Sequence, residues 1–218
     1  MPLPASAIRR SLLVLASVAA ASGCGLNAHV RPLPKGTVAI EAAVGGPAVR
    51  LSGVPVPLLL STVGARVGLV DRLDVSVHTH ITTLAVFKLF GLDVGLGWLI
   101  FEQHGVLPAV DVSARFYVFT DFVQAQSAAE VGTSLSWQVT DWLLPYLTFS
   151  VYVDALAGLV HVAPGLGCEL RIGRFTLLPE LRWYAPETSA RGSAVEWLSP
   201  FKQGAVGLVL GARFDARR

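Results

Sequence analysis

The chain has 218 residues, 53 % of them hydrophobic and only 15 % charged, with a net charge of +2 and a mean hydropathy of +0.58. That suits a single domain that is too apolar for an ordinary soluble one. After residue 23, however, no run approaches the roughly 20 apolar residues that a membrane helix needs. The small net charge and the lack of a basic stripe exclude nucleic acid as a partner.

Arg9 and Arg10 form a basic start and Ser11 to Ala21 a short apolar stretch, the order of an export signal over residues 1–23. Ala21-Ser22-Gly23-Cys24 then resembles a lipobox, which implies cleavage before Cys24 and a covalent lipid on its sulfur. An ordinary signal peptide with Cys24 incidental is the alternative. No cofactor beyond the lipid, and no metal, is expected. Cys168 is the other cysteine, so lipidation of Cys24 leaves it no disulfide partner. Residues 24–36, polar and proline-bearing, are expected to be a lipidated tether, with the folded domain over 37–218.

From Thr37 onward hydrophobicity alternates with period two, the mark of strands half-buried on one face. Thr37 to Val44 and Ser61 to Val70 are the first two segments. In Leu73 to Thr83, Leu73, Val75, Val77 and Ile81 share one face and Asp74, Ser76, His78, His80 and Thr82 the other. Seven more segments follow with the same parity, centred on Leu96, Ser113, Ser134, Phe149, Glu169, Glu180 and Leu208. The expected fold is all-β, an antiparallel up-and-down barrel of about ten strands, or eight if the first hairpin stands apart. The links at Val70 to Arg72, Glu102 to Val106, Thr140 to Trp142 and Gly173-Arg174 are short. Those at 45–60 and 185–202 are long and rich in Pro, Gly and Ser. Gly173-Arg174 reads as a type II′ turn pairing Ile172 with Phe175. At the other short link, Leu69 is expected opposite Leu73 and Gly68 opposite Asp74.

Alternation does not say which face looks out. An outward apolar face fits the scarcity of lysine, with only Lys35, Lys88 and Lys202 present, and the small Gly- and Ser-rich polar face that a narrow lumen demands. It also fits aromatics near both strand ends. Trp98, Trp137, Trp142, Phe175 and Phe214 lie toward one rim, and Phe90, Phe116, Tyr152 and Trp183 toward the other. The opposite sense would make a lipocalin-like carrier of apolar ligands.

GARVGLVDRLDVSV, SLSWQVTDWLLPYL and GCELRIGRFTLLPELRWY resemble the strand-turn-strand hairpins of bacterial outer-membrane β-barrel proteins, of OmpA-like or OmpW-like architecture. The resemblance runs over nearly all of the chain after residue 36 and is one of architecture. It implies an outer-membrane location in a Gram-negative cell, with membrane lipid and the barrel-assembly machinery as partners and a structural or interaction role.

The polar face places Glu41, Arg66, Asp74, His78, His80, Asp93, Asp111, Arg115, Glu130, Asp154, His161, Glu169, Arg171, Glu180, Arg182 and Arg213 in the lumen. Opposite charges in a poorly solvated interior should pair, and Asp93 is expected opposite Arg115 with His80 close by. Three sharper readings stand beside a salt-bridged lumen. His78, His80 and Asp93 are a thin metal-ligand set. Asp154 and His161, facing one another across residues 155–160, are the candidate catalytic pair for lipid chemistry. A narrow solute pore is the third.

Overall fold

In the computed structural model the described residues are 26–51, 54–154, 159–189, 196–199 and 202–217. Cys24 and the export signal lie outside them. The elements are β1 (Val38–Leu51), β2 (Val54–Pro57), β3 (Leu60–Val70), β4 (Leu73–His80), α1 (Ile81–Phe87), β5 (Phe90–Phe101) and β6 (Ala109–Thr120). They continue with β7 (Ala125–Ser136), β8 (Leu143–Asp154), β9 (Leu159–Ile172), β10 (Phe175–Ser189), β11 (Glu196–Trp197) and β12 (Gln203–Arg217). Each long strand pairs antiparallel with its neighbours, and β1 pairs with both β12 and β3, so ten strands close on themselves. The first hairpin belongs to the wall, which settles ten strands over eight.

Closure leaves no free edge, and the period-two pattern decides what each side sees. On β5, Asp93 is 1 % exposed, while Val94, Leu96 and Trp98 are 44, 48 and 57 % exposed. On β4, Asp74, Ser76, His78 and His80 point inward and Val77 outward. The same inversion runs around the wall, with Phe116, Val131, Leu147, Leu166, Leu181 and Leu208 outside. A polar interior and a continuous apolar exterior is the construction of a barrel made for lipid surroundings. The lipocalin-like sense, apolar inside, is overturned. Trp98, Trp142 and Phe175 take their expected outward places at the short-turn rim and Phe116 faces out nearer the other. Tyr152, by contrast, is fully buried in the lumen, because it shares parity with Ser150 and not with Val151.

The turns follow the sequence with small departures. Ile172 pairs with Phe175, and Gly173 has φ 65° while Arg174 is not among the positive-φ residues, as a type II′ turn requires. Gly68 pairs with Asp74, but the turn closes on Val70 opposite Leu73 and leaves Leu69 as a bulge. Two departures are larger. The stretch expected as a long loop at 45–60 is mostly strand, for β1 runs beyond the wall and pairs with β2 and β11 outside it. Pro55 and Pro57 are tolerated there because β2 is an edge. The third segment also stops at His80 rather than Thr83. Its alternation gives way to α1, which ends on Lys88 in the left-handed conformation with φ 58°.

Candidate functional site

The inward faces of the strands meet in one hydrogen-bonded lattice. Arg66 of β3 donates to Asp74 of β4 at 2.6 Å and reaches Glu41 of β1 at 3.5 Å. His78 lies between two carboxylates, with Nδ1 3.0 Å from Asp93 and Nε2 3.1 Å from Glu41, and His80 Nε2 is 3.1 Å from the other oxygen of Asp93. Arg115 of β6 lies 3.5 Å from Asp93 and 3.6 Å from Glu130, and Tyr117 donates to Glu130. Farther round, Arg182 donates to Glu180 at 2.8 Å and to the Tyr152 hydroxyl at 2.7 Å, while Tyr146 donates to Glu180 at 3.1 Å. Arg171 and Arg213 share Glu169, at 3.0 and 3.3 Å.

Apart from Asp154, whose side chain lies outside the described residues, and His161, the expected luminal residues thus meet in this lattice, with one correction of register. Tyr117 stands opposite Asp93, and Arg115 stands opposite Gly95, so the Asp93–Arg115 pair is diagonal. Both ring nitrogens of His78 are already on carboxylates, which leaves it no lone pair for a metal. Among the described residues no group of three or more His, Cys, Asp or Glu is arranged to hold one. Asp154 is paired with Leu159 and His161 with Tyr152. The hairpin is tighter than expected, and the two do not stand opposite one another.

The feature that the sequence did not disclose fills the centre. Residues 26–36, expected as a tether outside the domain, enter at the short-turn rim and run up the lumen. Gly36 N donates to the Gly68 carbonyl at 2.9 Å, and Leu33 N to Asp74 at 2.7 Å. Arg31 reaches Ser136 at 2.9 Å and Gln103 at 3.1 Å, and Ser134 donates to the Val30 carbonyl at 2.9 Å. Highest up, Ala28 N donates to Glu180 at 2.8 Å and Asn27 to the Leu178 carbonyl at 2.7 Å. Leu26 packs in the apolar cluster of the upper lumen with Leu60, Tyr117, Phe119 and Tyr184.

His29 is the centre of this plug. Its Nε2 lies 2.7 Å from Asp74 on β4 and its Nδ1 2.8 Å from Asp111 on β6. A carboxylate on each ring nitrogen suits a protonated imidazole, while the Arg66 guanidinium also sits on Nε2. Burial and nearby Arg66 oppose that charge, but Asp111 and Asp74 outweigh them and hold the imidazole above its ordinary pKa. The wall is shaped to receive the ring. A Cβ built on Gly97 would lie 1.9 Å from His29, and one on Gly211 2.0 Å from Asn27. These luminal glycines, legible as small residues of a crowded lumen, are where the plug touches the wall. Beside the plug lies a cavity of about 30 Å³, room for little more than ordered water. Larger cavities of about 490 and 520 Å³ flank its foot, one lined by Arg31 to Lys35 with Arg171 and Arg213, the other by Arg31 with Gln103 and Gln138.

Chemically the arrangement is a lumen in which carboxylates are matched by arginine or histidine and closed by the chain's own N-terminal segment. No family model matches the chain, and no curated protein does. Solved structures similar to it include the translocator domain of the autotransporter NalP from Neisseria meningitidis, at 12 % identity and a TM-score of 0.45 over 96 % of this chain and 97 % of that one. An outer membrane channel from Pseudomonas putida F1 is similar at 9 % identity and a TM-score of 0.45, over 87 % of this chain and 98 % of that one. A transmembrane β-barrel designed de novo is similar at 12 % identity and a TM-score of 0.36, over 86 % of this chain and 100 % of that one. At such distances these likenesses speak for no function.

Proposed function

We propose that the chain is an outer-membrane lipoprotein of a Gram-negative bacterium, an integral ten-stranded barrel with a structural or interaction role and a lumen closed by its own N-terminal segment. The observation that carries this is the inversion of polarity, with apolar side chains around the outside and paired charges within. The short-turn rim then faces the periplasm and the rim bearing α1, β2 and β11 faces outward. At ten strands the barrel is wider than an eight-stranded OmpA-type one, whose interior is just filled by side chains. The extra width is taken up by residues 26–36.

The lipid is expected on Cys24. Leu26, two residues on, is buried in the lumen, so an inner-leaflet anchor and full docking of residues 26–36 draw on the same short stretch of chain. The paired lumen favours closure over catalysis, and the register of Asp154 and His161 gives lipid chemistry no support.

The test is a scan of single cysteines from Leu92 to Trp98 in a Cys168→Ser background, labelled in isolated outer membranes. Sites at Leu92, Val94, Leu96 and Trp98 should react with a lipid-soluble probe and not a water-soluble one, and the alternate sites should not follow them. Labelling of Val94 and Leu96 by the water-soluble probe sinks the membrane assignment. Incorporation of labelled palmitate, lost in Cys24→Ser, tests the anchor separately.

A further inference from the structure

The plug is bound unlike the wall. Among the described residues, 26–35 join no strand ladder with the barrel. Their polar contacts are separate hydrogen bonds to side chains or lone carbonyls, made by Asn27, Ala28, His29, Val30, Arg31 and Leu33, and Leu26 and Val30 pack against apolar residues. Paired backbone bonds to the wall occur only at the foot, where Gly36 and Thr37 meet Gly68. Gly36 has φ 76°, and a Cβ there would meet nothing within 4 Å, so the segment leaves its last backbone bonds to the wall at an uncrowded glycine. The two cavities at the foot bring water to both sides of Arg31. Around His29 and Arg31 the seat is polar, with apolar packing confined to Leu26 and Val30, and polar groups that lose a protein partner can take water in its place.

Charge adds a second argument. The plug contributes His29 and Arg31. Its withdrawal takes His29 from Asp74 and Asp111 and the Ala28 amide from Glu180. Among the described inward-facing residues the wall then holds eight carboxylates, from Glu41 to Asp215, against five arginines with His78 and His80, so the vacated lumen is net acidic. Such a surface concentrates cations and repels anions.

We propose that residues 26–36 are a hinged gate, and that the lumen they vacate passes small cations across the barrel. Solute size is limited by the layer above the seat, where Tyr117 bonded to Glu130 and Arg182 bonded to Tyr152 project from the wall into the lumen. The proposal rests on the membrane-barrel reading, and its test keeps the two apart.

The full mature chain is reconstituted as wild type and as His29→Glu, which sets a third carboxylate between Asp74 and Asp111. Both also carry Val30→Cys, read by a water-soluble maleimide at that residue. In planar bilayers with potassium chloride the wild type should be nearly silent at pH 6. His29→Glu should label at Val30→Cys and carry a cation-selective current at least about tenfold larger, since hydrogen bonds to charged groups are each of that order. A labelled but silent His29→Glu places the seal in the tyrosine–arginine layer and overturns conduction. An unlabelled, folded His29→Glu makes the plug a permanent part of the wall and overturns the gate. If that variant does not fold, His29→Gln, with one donor nitrogen and no positive charge, is read by the same criteria. Loss of the lipid-facing pattern on β5 in the same vesicles would fail the membrane reading instead, whatever the current.

Discussion

The wall of the barrel and the segment that fills it are held by different kinds of bond. The wall is a closed ladder in which each strand is tied to two neighbours. Its inward charges are fixed at residue spacings that the ladder sets. The plug has no ladder beyond its foot and depends on the apolar packing of Leu26 and Val30 and on a few polar side chains that the wall lends it, chiefly Asp74, Asp111, Glu180 and Ser134. Cooperative backbone pairing resists local opening, whereas isolated polar contacts near water do not. Strands and plug therefore differ in what a single substitution can do to them.

The largest effect is expected where the wall buries a charge completely. Arg182 is 1 % exposed, as is its partner Glu180, and it also holds the Tyr152 hydroxyl. Arg182→Ala leaves Glu180 with Tyr146, the Ala28 amide and the Asn27 side chain as its remaining donors. Breaking a buried pair in this way costs about 3–5 kcal/mol. Denaturant unfolding of the reconstituted barrel should show that loss in its midpoint. A change below about 1 kcal/mol would mean that water already reaches Glu180 and that the upper lumen is not sealed.

The outward face of the same wall gives the next effect. Leu96 lies midway along β5 and is 48 % exposed on the apolar side. An arginine on a lipid-facing strand at the bilayer midplane destabilises by about 2–4 kcal/mol, so Leu96→Arg should lower stability by that amount in lipid. The same change on a water-facing surface would be nearly neutral. The contrast separates a lipid exterior from a soluble one by equilibrium unfolding alone.

The difference between wall and plug also explains what could be read from the residues. Alternation gave the face of the described luminal strand residues, because a strand's parity cannot be changed without moving its whole apolar set to the other side. Asp74, His78, Asp93, Glu169 and Arg182 all fall inside as their parity requires. Alternation is blind, however, to a slip of two residues, which keeps every face the same. That is why Asp93 was expected opposite Arg115 and is found opposite Tyr117, and why Asp154 and His161 are not opposite one another. The plug offered no pattern at all. LNAHVRPLPKG has neither period, and His29 meets partners 45 and 82 positions away, a distance over which nothing local points to the contact. The one available hint lay in the wall, where Gly97 and Gly211 leave room for something other than their own side chains.

The smallest effect, and the one that bears most directly on the plug, is that of pH. His29 faces Asp74 from β4, Asp111 from β6 and Arg66 from β3, with Glu41 of β1 behind Arg66, and β5 offers it only Gly97. Docking raises the affinity of the ring for its proton. Its contribution is therefore fully present below the free value of about 6.5 and is lost as pH climbs through the docked one. Each tenfold preference of the docked state for the protonated ring is worth about 1.4 kcal/mol. Maleimide labelling of Val30→Cys should thus be slow at pH 6 and rise toward pH 9. It is normalised to Gly105→Cys, an open turn position with nothing within 4 Å, so that the thiol's own titration cancels. In His29→Ala the normalised rate should be high and flat. A wild-type profile that stays flat would mean that Asp111 rather than His29 carries the shared proton over this range. A profile that rises in His29→Ala as steeply as in wild type would move the pH dependence out of the plug and into the wall, to the equally clamped His78 between Asp93 and Glu41.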